Sequence, residues 1–101
     1  MLVALSVRKL KPGAYDDFRA AWQPDEFPSA LQRAYHVRDV NDPDIVISFG
    51  FLEADVSDLA DFREEVSEIE ERRQAAMAAH VDELIVDGIY DVVEEVVPSA
   101  R

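Results

Sequence analysis

The stretch Ile45-Val46-Ile47-Ser48-Phe49-Gly50-Phe51-Leu52 decides how this chain folds. It is β-branched and aromatic, with no charge and no proline, so it reads as a strand. Side chains alternate across a strand, which sends Ile45, Ile47, Phe49 and Phe51 to one face and Ser48 and Gly50 to the other. Just upstream, Asn41, Asp42, Pro43 and Asp44 are turn formers, and before them Leu31 to Val40 alternates again around Tyr35 and Val37. The two segments are predicted to form a hairpin. Its register matters, because a slip of one residue sends every side chain to the opposite face. An odd loop length keeps His36 and Ser48 together, and an even one separates them.

Working outward, Leu2 to Leu10 alternates and is rich in Val and Leu, which predicts a first strand broken by Lys11, Pro12 and Gly13. Ala14 to Gln23 follows as a helix: Tyr15, Phe18 and Trp22 fall on one stripe, and Asp16 and Asp17 suit the positive end of the helix dipole. Pro24 stops it, and Asp25 to Ala30 is a loop or a single turn. Beyond the hairpin, Asp55 or Ser57 can cap a long helix whose apolar stripe runs from Leu59, Phe62, Val66 and Ile69 through Ala76 and Met77 to Val81 and Leu84. Its other face is charged and reads as solvated. From about Ile85 to Val97 the β-branched alternation returns, interrupted at Gly88 and ended by Pro98. The order βαββαβ predicts an α+β, ferredoxin-like domain over residues 1–101, with a four-stranded antiparallel sheet and both helices on one face.

Composition narrows the function. The formal net charge of -12, from 22 acidic against 10 basic residues, repels phosphate backbones and anionic membranes, so no nucleic-acid or membrane partner is expected. No apolar run approaches the roughly 18 residues of a membrane span, and the amino terminus has no small-residue cleavage site, so the chain is read as cytoplasmic. With no cysteine, thiolate catalysis and cysteine-ligated metals are excluded. Gly13, Gly50 and Gly88 are scattered and form no phosphate loop, which argues against nucleotide hydrolysis.

The sheet face away from the helices is predicted to carry Ile45, Ile47, Phe49 and Phe51 with Val3, Leu5, Val7, Tyr35 and Val37. If about eight such side chains stayed in water, the burial forgone at ~1.5 to 3 kcal/mol each would be on the order of 12 to 24 kcal/mol. That exceeds the ~5 to 15 kcal/mol net stability of a typical domain. A second copy packed sheet to sheet is the expected cover. The opposite face carries Ala4, Ser6, Ala34, His36, Arg38 and Ser48, small or polar residues beneath Phe18, Trp22, Phe62 and Ile69 of the helices.

The Leu2–Leu10 strand, the Lys11-Pro12-Gly13 turn into a helix with Phe18 and Trp22, the run Phe49-Gly50-Phe51-Leu52-Glu53 leading to Asp58-Leu59-Ala60-Asp61-Phe62, and the closing Ile89-Tyr90-Asp91-Val92-Val93-Glu94 resemble the dimeric α/β-barrel superfamily. Within it the sequence is most similar to antibiotic biosynthesis monooxygenase-like proteins. The resemblance spans nearly the whole chain and rests on pattern. It implies a homodimer with a pocket between sheet and helices in each subunit, and oxygenation of aromatic polyketides or quinols without metal or flavin. The haem-degrading branch of that superfamily uses an asparagine on the first strand with a tryptophan and a histidine on the second helix. Here those places hold Ser6 and, nearest the tryptophan, Phe62, while His80 lies too far along to complete the set.

The candidate site combines Ser6, His36 and Ser48 as a polar floor under Trp22 and Phe62. His36, near neutrality, would take a proton from a phenolic substrate to give an anion that reacts with oxygen, and Arg38 would stabilise that anion. The structural alternative is a partly exposed strand histidine bonded to a carbonyl. Arg73 falls on the inner edge of the long helix, where it meets an anionic ligand or pairs with Glu70 or Asp91. His80 with Glu83 supplies too few ligands for a metal, so neither metal nor cofactor is expected. Two functions fit: a cofactor-independent oxygenase of a small hydrophobic or aromatic molecule, and a homodimeric module that binds such a molecule without chemistry. A cavity of about 300 Å³ or more with convergent polar groups favours the first.

Overall fold

The computed structural model describes residues 1–99. Its elements run β1 (Leu2–Leu10), α1 (Tyr15–Trp22), β2 (Leu31–Arg38), β3 (Ile45–Leu52), a short 3-10 turn (Val56–Asp58), α2 (Leu59–Ala78) and β4 (Val81–Asp91). The strands form one antiparallel sheet in the order β2-β3-β1-β4. This is the predicted ferredoxin-like arrangement.

Local chemistry sets the boundaries. Gly13 takes the left-handed conformation at φ 70 that closes the turn after β1, and its N–H donates to Asp44 at 3.2 Å. α1 stops because Gln23 precedes Pro24 and is driven to extended backbone at ψ 117. Ahead of α2, Asp55 and Asp58 form a capping box, with the Asp58 carboxylate accepting the Asp55 N–H at 2.9 Å.

α1 is one residue shorter at each end than the sequence reading, and three boundaries differ by more. β2 ends at Arg38 rather than Val40, because the Asp39 carboxylate turns back to accept the N–H groups of Asn41 and Asp42 at 2.7 and 3.1 Å. α2 ends at Ala78, so Val81 and Leu84 belong to β4, where they pair with Leu10 and Arg8. Their helical spacing was coincidental, and a ladder with β1 overrode it. β4 closes at Asp91 instead of Val97, since β1 begins at Leu2 and offers nothing further to pair; the last such contact is Val92 N–H to the Met1 carbonyl at 3.0 Å.

The core is lopsided. Leu10, Phe18, Val46 and Met77 are buried together, with Tyr15, Trp22 and Val81 packed around them. That cluster ties α1 and the end of α2 to one half of the sheet. Over the other half α2 stands off, and its Phe62, Val66 and Ile69 are only half-buried. The strand β3 alternates as predicted: Val46, Ser48, Gly50 and Leu52 are buried beneath the helices, while Ile45, Ile47, Phe49 and Phe51 lie half-exposed on the bare face.

Candidate functional site

The register builds the site. His36 pairs with Ser48, Ser48 with Ser6 and Ser6 with Asp87, so one polar row crosses all four strands on the helix side. Hydrogen bonds join its two ends: Nδ1 of His36 lies 2.8 Å from the Ser48 hydroxyl oxygen, and the Ser6 hydroxyl donates to Asp87 at 2.9 Å. The hairpin therefore has the parity that keeps His36 and Ser48 on one face. Asp87 joins the row as the direct partner of Ser6 in the regular stretch of the β1–β4 ladder, which lies beyond the two register shifts at Val7/Arg8 and Lys9/Leu10.

Above this row, where α2 stands off, lies a cleft of about 880 Å³. Ser6, Ser48 and Asp87 lie along its floor, Phe62, Ile69 and Arg73 come from α2, and Trp22 closes the end nearest the core. Ser6, Trp22, Ser48, Phe62 and Arg73, the residues read from sequence as a ligand pocket, thus come together. Gly50 also lines it; a Cβ there would sit 2.8 Å from the Leu31 side chain, so its small size leaves Leu31 room beside the cleft.

His36 and Arg38 are placed differently from the sequence reading. His36 sits behind the floor among Tyr15, Phe18 and Trp22, with the Trp22 ring 4.5 Å away edge to face, and it opens on a smaller hollow of about 340 Å³. It reaches the cleft only through Ser48. Its Nε2 is buried with no partner among the described residues. Burial, reinforced by Arg19, Arg8 and Arg73, holds its pKa down at about 4, so the ring is neutral at neutral pH and a weak base. Arg38 does not line the cleft; it is exposed, with its guanidinium 4.7 Å from the Tyr15 ring centroid.

Arg73 does meet the cleft. It pairs with Glu70 at 3.2 Å, lies 4.9 Å from the Trp22 ring centroid, and keeps a buried, unpartnered Nε. Its pairing with Glu70 follows the first of the two ion pairs expected from sequence. The residue that sequence reading missed is Arg8. Only 3% exposed, it lines the cleft and stacks on the Phe18 ring at 5.5 Å. Burial lowers the pKa of its guanidinium, Arg73 adds to that, and Asp87 and Glu70 pull the other way. The available signal was parity, since Arg8 follows Ser6 by two on β1 and shares its face.

His80 lies in the turn after α2, where its backbone carbonyl accepts the Lys11 N–H at 3.0 Å. Among the described residues no three His, Asp or Glu side chains are grouped to hold a metal ion, and no helix is long and apolar enough to cross a membrane.

Comparison with protein-family models and with curated proteins gives no match. Solved structures do match. A candidate antibiotic biosynthesis monooxygenase from Nitrosomonas europaea is 15% identical, with 93% of this chain and 100% of that chain covered, at a TM-score of 0.67. One from Chloroflexus aurantiacus is 13% identical, with 96% and 98% covered, at 0.66. A NIPSNAP domain protein from Burkholderia xenovorans is 19% identical, with 99% and 96% covered, at 0.58. Such low identities speak for architecture alone, and on architecture they agree with the strand order and helix placement: the chain has a ferredoxin-like α+β fold, the one these solved structures share.

Proposed function

We propose that the protein is a cytoplasmic homodimer in which each subunit oxygenates a small hydrophobic, aromatic molecule in the cleft between α2 and the sheet, with no metal or organic cofactor. The observation that carries this reading is the cleft itself: about 880 Å³ of space stands where α2 would otherwise pack, with the polar groups of Ser6, Ser48 and Asp87 along its floor. A domain kept only for assembly gains nothing from leaving apolar Phe62, Val66 and Ile69 half-buried. The names of the structural neighbours point the same way.

The chemistry asks little of the protein. A phenol that loses its proton becomes electron-rich at ring carbon and forms a C–O bond to dioxygen. The resulting hydroperoxide loses water, breaking its O–O bond and a C–H bond, and leaves a quinone. Phenol and dioxygen thus balance as quinone and water, with every electron drawn from the substrate. Ser6, which donates to Asp87, would relay the phenolic proton to that carboxylate. Arg73 supplies positive charge for the anion. His36 acts as a positioning residue that orients Ser48, its low basicity unsuited to proton abstraction.

A second copy would cover the bare face. Tyr35, Val37, Val86 and Tyr90 there are 46%, 41%, 38% and 47% exposed, and Val93, Val96 and Val97 beyond β4 are more exposed still. Half-burying about ten such side chains is worth on the order of 10 kcal/mol, comparable to the stability of a whole domain.

Dioxygen uptake tests the reading. With a panel of phenols and quinols, uptake should exceed the protein-free rate, and product mass should rise by one oxygen and fall by two hydrogens. Tight binding of panel members with no uptake above background would instead make the chain a binding module.

A further inference from the structure

The cleft is lined by the guanidinium groups of Arg8 and Arg73, with the carboxylates of Asp87 and Glu70 beside them and those of Glu26, Glu65 and Glu71 exposed to solvent. Arg8 is the unusual member. It is 97% removed from solvent by the exposure of 3%, yet among the described residues it takes part in no side-chain hydrogen bond or ion pair. A buried guanidinium that makes no direct ion pair is costly, and since the Asp87 and Glu70 carboxylates act on Arg8 only from beyond ion-pair distance, an anion bound directly to it would offset that cost. Arg73 shares the cleft; Glu70 pairs with its Nη1, and its Nε is buried with no hydrogen-bond partner among the described residues. The aromatic faces of Phe18 and Trp22 back the two guanidiniums at 5.5 and 4.9 Å and leave their edges for hydrogen bonding.

We propose that Arg8 and Arg73 form a carboxylate subsite, and that the molecule bound in the cleft is an aromatic carboxylate. A guanidinium edge matches the two oxygens of a carboxylate, which makes the pairing directional as well as electrostatic. The ring then lies against Phe62 and Ile69, with Ser6 and Ser48 beneath it. This deepens the functional reading above and rests on the same cleft.

The probes are 1-naphthoate and 1-naphthamide, alike in shape and different in charge, titrated calorimetrically into the intact protein at neutral pH. Naphthoate should bind at least ~10-fold more tightly, as befits a charge-assisted pair. Arg8→Met should remove most of that preference while leaving naphthamide affinity within about threefold, and Arg8→Lys, which keeps charge but loses the fork, should retain part of it. The wild-type comparison needs no variant to fold. Equal affinity for the two probes would overturn the carboxylate subsite and leave the aromatic pocket standing. Binding of neither would remove both, and unchanged preference in Arg8→Met would dismiss Arg8.

Discussion

Nδ1 of His36 stands 2.8 Å from the hydroxyl oxygen of Ser48, and this bond connects the aromatic enclosure behind β2 to the floor of the cleft. Ser48 is itself only 6% exposed, so little of its surface meets solvent. The arrangement explains why a histidine that does not line the cleft still bears on it: it sets where the Ser48 hydroxyl points.

Ser48→Ala should lower stability by about 1 to 3 kcal/mol, the cost of leaving a buried ring nitrogen unpaired. A double-mutant cycle with His36→Phe, read by urea denaturation, should give a coupling of about 0.5 to 1.5 kcal/mol. Additive effects would mean that the bond contributes nothing.

Acid should weaken the fold through His36. Its pKa is about 4 when folded against 6.5 unfolded, so the unfolded chain takes up the proton first. The stability associated with a neutral ring is fully present above pH 6.5 and is lost as pH falls through 4. His36→Gln, which keeps an amide for Ser48 but cannot titrate, should therefore lose less Tm than the parent across that window at matched salt. Parallel Tm curves would contradict the buried neutral ring.

The bare sheet face should hold two copies together. Phe49→Glu places a charge among Tyr35 and Phe51, whose rings contact Phe49 at 5.3 and 6.0 Å, and should convert a micromolar dimer to monomer in sedimentation velocity. A parent protein that sediments as a monomer at that concentration would remove the assembly.

Filling the cleft should separate binding from folding. Ile69→Trp projects a larger side chain into the space over Ser6 and Ser48 and should reduce naphthoate affinity at least ~10-fold with Tm unchanged or raised, because a half-buried residue gains cover. Retained affinity would place the ligand elsewhere.

Much of this site was legible from alternation alone. Ser6, His36 and Ser48 share a face because β1, β2 and β3 are regular over those residues, and the connection between the paired Arg38 and Val46, residues 39–45, has the odd length that the reading required. Arg8 escaped notice because a charged residue near a strand end looks solvent-exposed in one dimension. Arg38 was misplaced for the opposite reason: parity set it on the correct face, but β2 is an edge strand, and its last residue lies beyond the cleft lining.

The sequence by itself determined the order of elements, the bulky and small faces of β3, and the excess of negative charge, since each follows from residue periodicity or a count. Only the tertiary structure decided that α2 is anchored at Met77 and stands away from the sheet toward Phe62, and that Arg8 is thereby buried with no direct ion pair among the described residues. Those are consequences of how far one helix sits from one sheet, a distance set by the summed packing of Leu10, Phe18, Val46 and Met77, which no local pattern encodes.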